Sequence, residues 1–261
     1  MASPKITIRD LCVEYVSEER RERHTTIEGL SLDILENEFL CVAGPSGCGK
    51  STLISAIAGF IQPRAGTLLM DGRPILEPGA DRGVVFQEYA LLPWRNVMEN
   101  VALGLKLRGM PKAERHRIAE RYLAITNLTD AAQKYPHELS GGMKQRVAVA
   151  RTLANAPQVM LMDEPFAAVD AQTRMTLQEE LIRIWEQSKV TVLFVTHSVE
   201  EAVFLGDRVV VMSPRPARLK ETVPINIPRT RRTWEKMNAD PEFIALRDQV
   251  LQLVRGSGGG A

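Results

Sequence analysis

The chain has 261 residues, with 33 Lys plus Arg against 32 Asp plus Glu and a formal net charge of +1. That length suggests one or two domains, and near-neutrality excludes the basic excess of a generic nucleic-acid binder. Apolar residues at 44% and charged residues at 25% exclude wholesale disorder. Three cysteines (Cys12, Cys41, Cys48) without a C-x-x-C pair exclude a disulfide framework, argue against a zinc site and fit a reducing compartment.

Ile6, Ile8 and Leu11 alternate as a first strand, and Leu30, Leu32 and Ile34 as a second. The charged stretch Ser17 to His24 between them reads as an exposed loop. Phe39 to Ala43 is nearly all apolar, the composition of a strand covered on both faces. A helical pattern follows on Leu53, Ile54, Ile57 and Ala58 and stops at Gly59. Val84, Val85 and Phe86 form a strand that Gln87 ends. Residues 88–157 read as a mostly helical subdomain, with one helix at Lys112 to Leu123 behind Pro111 and another from Ser140 to about Ala154. Strands resume at Val159–Met162, Val190–Val195 and Arg208–Met212. They alternate with helices at Gln172–Gln187 and Val199–Leu205, the latter opened by a capping box of Ser198 and Glu201. This alternation predicts an α/β fold with a mainly parallel sheet. Gly256 to Ala261 reads as a frayed tail. No apolar run approaches the roughly 18 residues of a spanning helix, and Met1 to Lys5 leads into the first strand without a secretory region. A soluble, cytosolic chain is expected, one still able to dock on a membrane complex.

Gly44-Pro45-Ser46-Gly47-Cys48-Gly49-Lys50-Ser51 matches G-x-x-x-x-G-K-S/T between a strand and a helix, with Thr52 next. Gly44, Gly47 and Gly49 allow a tight turn whose N–H groups face phosphate oxygens, and the helix dipole adds positive potential. Lys50 suits the β- and γ-phosphates, and the Ser51 hydroxyl suits Mg²⁺. Cys48 reads as a small residue of the loop, not a nucleophile. The strand Val159–Met162 ends in Asp163 and Glu164, placed for orienting Mg²⁺ and for polarising an attacking water.

Leu139-Ser140-Gly141-Gly142-Met143-Lys144-Gln145-Arg146 resembles the signature motif of ATP-binding-cassette (ABC) ATPases. In matching order, Gln87 resembles the Q-loop glutamine, Ala167 to Asp170 the D-loop, and His197 the switch histidine, so the resemblance spans residues 5–225. It implies a P-loop core with an N-terminal antiparallel β subdomain and an inserted helical subdomain at about 88–157. Residues 226–261 are then a short extension. It also implies a head-to-tail dimer of two copies, in which ATP on one phosphate loop meets Ser140, Gly141, Gly142 and the D-loop Asp170 of the other. Glu164, Gln87 and His197 would be catalytic, and Ser51, Gln87 and Asp163 would hold Mg²⁺. Tyr15 resembles the aromatic that stacks on adenine, although an edge-strand or core tyrosine is the other reading. Met143, the Ala-Ala-Val-Asp D-loop and Asn37 before Glu38 depart from commoner forms without removing a charge or a phosphate donor.

Tyr89 to Trp94 resembles the stretch that lines the groove for a permease helix, with packing inside the helical subdomain as the alternative. Gln87 to Val97, Met143 and Asp207 to Pro216 look like the importers of nitrate, sulfonate, taurine and bicarbonate. The resemblance therefore implies an ATP- and Mg²⁺-dependent ATPase on the cytoplasmic face of a bacterial inner membrane. Its partners would be integral-membrane permease subunits and an extracytoplasmic solute-binding protein, with no nucleic acid. An exporter ATPase and a non-transport ABC ATPase are the alternatives. Arg215, Arg218, Lys220, Arg229, Arg231 and Arg232 read as a solvated basic tail or as a segment near anionic lipid.

Overall fold

The computed structural model describes residues 3–16 and 23–256. In chain order the strands and helices begin with β1 (Pro4–Val16), β2 (Arg23–Leu35), β3 (Phe39–Ala43), α1 (Lys50–Ala58), β4 (Ala65–Met70), β5 (Arg73–Pro74) and β6 (Arg82–Val85). Helices α2 (Val97–Val101), α3 (Leu103–Leu107), α4 (Lys112–Ile125) and α5 (Gly141–Ala154) follow. The chain then runs through β7 (Val159–Asp163), α6 (Ala171–Ser188), β8 (Thr191–Thr196), α7 (Val199–Leu205) and β9 (Arg208–Met212). It closes with β10 (Leu219–Pro224), α8 (Trp234–Met237) and α9 (Pro241–Arg255). Most of the charged loop expected at residues 17–24 lies outside the described residues, but His24 already pairs with Tyr15 inside the β1–β2 ladder.

The chain divides into two compact units, Met1–Gly79 with Lys189–Ala261, and Ala80–Ser188. In the first, β2-β1-β4-β5 form an antiparallel sheet and β10-β9-β3-β8 a mixed one. Strand β3 pairs in parallel with both β8 and β9, and β10 closes the edge antiparallel to β9. Every residue of β3 and β8 is buried, which explains their unbroken apolar runs: both faces of a parallel strand are covered. Asn37 stands at φ +58°, a left-handed position that Asn tolerates well, and its N–H donates to Thr191 Oγ1 at 3.0 Å. Beside it, the buried Glu38 carboxylate pairs with the Arg208 guanidinium and accepts the Leu35 N–H at 2.8 Å.

In the second unit, β6 and β7 pair in parallel, and the helical core gathers Val97, Val101, Leu123, Val147 and Ala150. Asn96 caps α2 by accepting the Glu99 N–H at 2.9 Å, and Ser140 caps α5. Small residues on α5 (Ala148, Ala150, Ala154) let its neighbours approach closely.

Two expectations about these elements need correction. Strand β6 ends at Val85, so Phe86 and Gln87 lie beyond it and are exposed. Of the basic C-terminal residues, Arg215, Arg218 and Lys220 are exposed as expected of a solvated segment, but those from Arg229 on are tied into the fold. Arg232 is 5% exposed and donates to the carbonyls of Ile227, Phe204 and Gly206. Arg229 pairs with Asp207 at 2.7 Å and covers the Phe39 ring, and Arg231 pairs with Asp240 at 2.6 Å. Trp234 stacks on Phe204 at 4.2 Å and meets Phe243 edge-on. The segment is held because each guanidinium finds a carbonyl or carboxylate and its aromatics are buried. Helix α9, capped by Asp240 with Pro241 in its first turn, extends this packing.

Candidate functional site

The glycine-rich loop leaves β3 and enters α1, as its position between an apolar run and a helical pattern requires. Gly47 and Gly49 stand at φ +73° and +116°, where a side chain would be strained. Gly44 meets a different constraint from the turn expected of it: its φ is ordinary, but a Cβ there would lie 3.0 Å from Cys48 Sγ and 3.1 Å from the Met212 carbonyl. The Pro45 carbonyl accepts the Cys48 N–H at 3.3 Å, which folds the loop back, while Ser46 is exposed. Lys50 is 5% exposed, and its ammonium donates to the carbonyls of Gly44 and Pro45 at 3.0 and 3.1 Å. Ser51 is exposed at the start of α1, whereas Thr52 is buried. Cys48 is buried, and burial pushes its thiol up, so it stays protonated and packs as a small apolar group. Tyr15 is 44% exposed near the end of β1, an aromatic face open to solvent. His197 follows β8 and is exposed beside the buried Thr196.

The second unit carries the other predicted residues. Asp163 is the last residue of β7, partly buried, and Glu164 follows at φ +44°. A non-glycine residue there costs about 1–3 kcal/mol, a strain that neighbouring structure must hold. The Glu164 carbonyl accepts the Ala167 N–H at 3.1 Å, and the buried Phe166 anchors the turn. Asp170 precedes α6 and accepts the Thr173 N–H at 3.0 Å; hydrogen bonds from Thr173 hold its carboxyl below the usual range. Its visible work is therefore to cap α6.

At the head of α5, Ser140 Oγ accepts the Met143 N–H at 3.3 Å, which leaves the hydroxyl hydrogen to donate elsewhere. Gly142 is needed for packing, since a Cβ would come within 2.9 Å of Thr173. Gly141 faces the Tyr89 hydroxyl, 3.3 Å from the place of a Cβ. The segment after Gln87 is clamped twice. Arg151, on the last turns of α5, donates to the carbonyls of Ala90 and Tyr89 at 2.6 and 2.9 Å, and its burial lowers its pKa. Asn100, fully buried on α2, accepts the Leu92 N–H and donates to the carbonyls of Leu92, Arg95 and Asn96. Leu91 packs on the helical core, while Trp94 and Leu107 are 70% and 79% exposed. Each of the two readings of the 89–94 stretch thus fits some of its side chains.

Arg151 and Asn100 escaped the sequence reading. An Arg on a helix is ordinarily solvated, and an Asn inside a short helix carries no periodic signal.

The donor set suits a nucleotide with Mg²⁺. A positive-φ glycine loop at a helix N-terminus, with a buried lysine, fits phosphates. The first unit carries one hard oxygen donor of the kind Mg²⁺ uses alongside phosphate oxygens, the exposed Ser51 hydroxyl, and the second unit carries another, the Asp163 carboxylate. No group of three or more His, Cys, Asp or Glu able to hold a metal occurs among the described residues, and Mg²⁺ bound with a nucleotide does not need one.

A phosphate cradle of this kind in one unit, and in the other a strand ending at Asp163 with Glu164 just beyond it, are the marks of a phosphate-loop nucleotide hydrolase. A family model described as ABC transporter matches residues 27–167. The chain is 46% identical to the nitrate import ATP-binding protein of Synechocystis sp., over 91% of each chain. It is 48% identical to the taurine import ATP-binding protein of Chromobacterium violaceum, covering 86% of this chain and 87% of that one. Its fold resembles the solved bacterial ABC transporter cassette MJ0796 with a TM-score of 0.73 at 30% identity, over 85% of this chain and all of the other. That cassette has been seen as a dimer and in a post-hydrolysis state with ADP and Pi. The chain belongs to the ABC transporter family and is an ATPase of the ABC type.

Proposed function

We propose that this ATPase powers a bacterial importer for a small anion such as nitrate or taurine, working as a dimer of two copies beneath membrane permease subunits. The observation that carries the reading is identity of 45% or more, over most of each chain, to import ATP-binding proteins named for nitrate and for taurine. The solved dimer of the related cassette supports the two-copy arrangement. No helix of the described residues is long and apolar enough to cross a membrane, and in this reading the path for the solute lies in the permease subunits. The exposed Leu107 sits on a cleft of about 340 Å³ lined also by Leu103, Arg108 and Arg151, an apolar, basic-rimmed surface suited to a permease helix, and Trp94 is a second exposed apolar side chain of the same unit.

In this reading the loop N–H groups and Lys50 bind the triphosphate, and Tyr15 stacks on adenine. Ser51, Gln87 and Asp163 would hold Mg²⁺, which neutralises charge on the phosphates. Glu164 polarises the attacking water, and His197 contacts the γ-phosphate. Ser140 and the N–H groups of Gly141 and Gly142 meet the γ-phosphate bound to the second copy, with Asp170 beside them. Binding of ATP biases an open–closed equilibrium of the pair, closure turns the permease, and hydrolysis reopens it. A solute-binding protein outside the membrane would deliver the anion.

Glu164→Gln tests the core of this scheme. It should bind ATP, hydrolyse it at least about 100-fold more slowly, and elute as a dimer with ATP but not with ADP on size-exclusion chromatography. A variant that stays monomeric at saturating ATP would overturn the sandwich.

A further inference from the structure

Glu201 has no part in the scheme so far, yet it is a carboxylate only 5% exposed on the first turn of α7. Burying such a group costs several kcal/mol unless donors meet it, so its partners are informative. The Ser198–Glu201 pattern predicts a capping box, in which Glu201 would reach back to the Ser198 N–H. Only half of that box forms: Ser198 Oγ accepts the Glu201 N–H at 3.3 Å. The Ser198 N–H donates instead to Thr196 Oγ1 at 3.0 Å, and the Thr196 hydroxyl donates to the Glu201 carboxylate.

The result is a closed circuit of three hydrogen bonds through Thr196, Ser198 and Glu201. The residue it encloses is His197. Thr196 is 1% exposed and is the last residue of β8, so the circuit fixes the backbone on both sides of an exposed imidazole. Helix α7 is held at its other end as well. Arg232 donates to the carbonyls of Phe204 and Gly206 at 3.0 and 2.8 Å, and Trp234 stacks on Phe204. A helix of seven residues is too short to hold itself. Tied at both ends, it acts as a strut under the histidine.

We propose that Glu201 is a positioning residue for His197: through Thr196 its carboxylate sets the backbone that aims the imidazole, and Arg232 steadies the far end of the same helix. This rests on the assignment of His197 to the γ-phosphate. Thr196→Val removes the hydroxyl at nearly constant volume, and Glu201→Ala removes the carboxylate. Thr196→Ser and Glu201→Gln keep an oxygen able to close the circuit.

The test is a double-mutant cycle with His197→Ala on the full-length chain, reading kcat and the preference for ATP over ADP by nucleotide titration. Thr196→Val and Glu201→Ala should each lower kcat about 10- to 100-fold, as expected when a reacting contact is misplaced by an ångström or less. Each should reduce the ATP-over-ADP preference while ADP affinity stays within about twofold, a split that a general loss of folding would not produce. Thr196→Ser and Glu201→Gln should restore most of both. In the His197→Ala background, Thr196→Val and Glu201→Ala should change neither the preference nor the residual rate.

If they lower the ATP preference by the same factor with and without His197, the positioning role is overturned while the histidine assignment stands. If His197→Ala itself leaves kcat and the ATP preference unchanged, the assignment falls and the positioning role falls with it. Should Glu201→Ala fail to fold, Thr196→Val and Thr196→Ser complete the cycle alone.

Discussion

Gly44 and Gly47 share one loop and answer to different constraints. At Gly47 the backbone lies at φ +73° with open space around it, so an alanine would be strained without touching anything. At Gly44 the backbone is ordinary, but a methyl group would press on Cys48 Sγ and the Met212 carbonyl. Tyr15 is the site residue whose surroundings say most about its expected role. An aromatic left 44% exposed on a strand has forgone nearly half of its burial energy, and a purine would recover part of it by stacking. Tyr15→Ala is expected to weaken ATP binding about 5- to 30-fold, the equivalent of about 1–2 kcal/mol of lost stacking, with kcat at saturating ATP within about twofold. Steady-state kinetics of the purified chain check this, and an unchanged KM would return Tyr15 to a purely structural role.

At the scale of elements, polar side chains decide what the segment from 89 to 96 does. Asn100 makes four hydrogen bonds to that segment from a fully buried position on α2, and Arg151 makes two more from α5. The loop is thereby shaped from beneath while Trp94 projects outward. Asn100→Ala removes the partner of the Leu92 N–H and of the Arg95 carbonyl, while the Leu92 and Asn96 carbonyls keep backbone donors, at a cost of about 1–3 kcal/mol per buried group left unmet. The expected outcome is a lower urea midpoint with an unchanged m-value, and faster proteolytic nicking between residues 90 and 96; equal midpoints would mean that water replaces the amide without loss. A short helix with a buried Asn looks, in sequence, like a weak helix or a loop. Its role is visible only where the backbone it serves is visible. The same holds for Arg229, Arg231 and Arg232, whose charges suggest solvent while their guanidinium groups meet carbonyls and carboxylates.

At the scale of the whole molecule, the chain supplies ATP hydrolysis and its proposed partners supply the path for the solute. Uptake of labelled nitrate and taurine, in cells lacking this gene and complemented with wild type or Glu164→Gln, should recover for one anion with wild type alone. Recovery with neither anion would overturn the assignment to nitrate or taurine while leaving the ATPase intact. By itself the sequence determined the phosphate loop, the strand ending at Asp163 with Glu164 next, the helix start at Ser140 and the alternation of β3, α1, β7, α6, β8, α7 and β9 along the chain. These are local in origin: glycine spacing, apolar periodicity and N-caps act over a few residues, and a fully buried parallel strand shows as an unbroken apolar run. Tertiary structure alone decided why Gly44 is a glycine, where Arg232 and Arg151 go, and that Glu201 serves Thr196 and not the Ser198 N–H. Those facts depend on which backbone groups distant segments bring within about 3 Å of a side chain. A long polar side chain satisfies any donor or acceptor it meets, so its sequence neighbours do not reveal its partner.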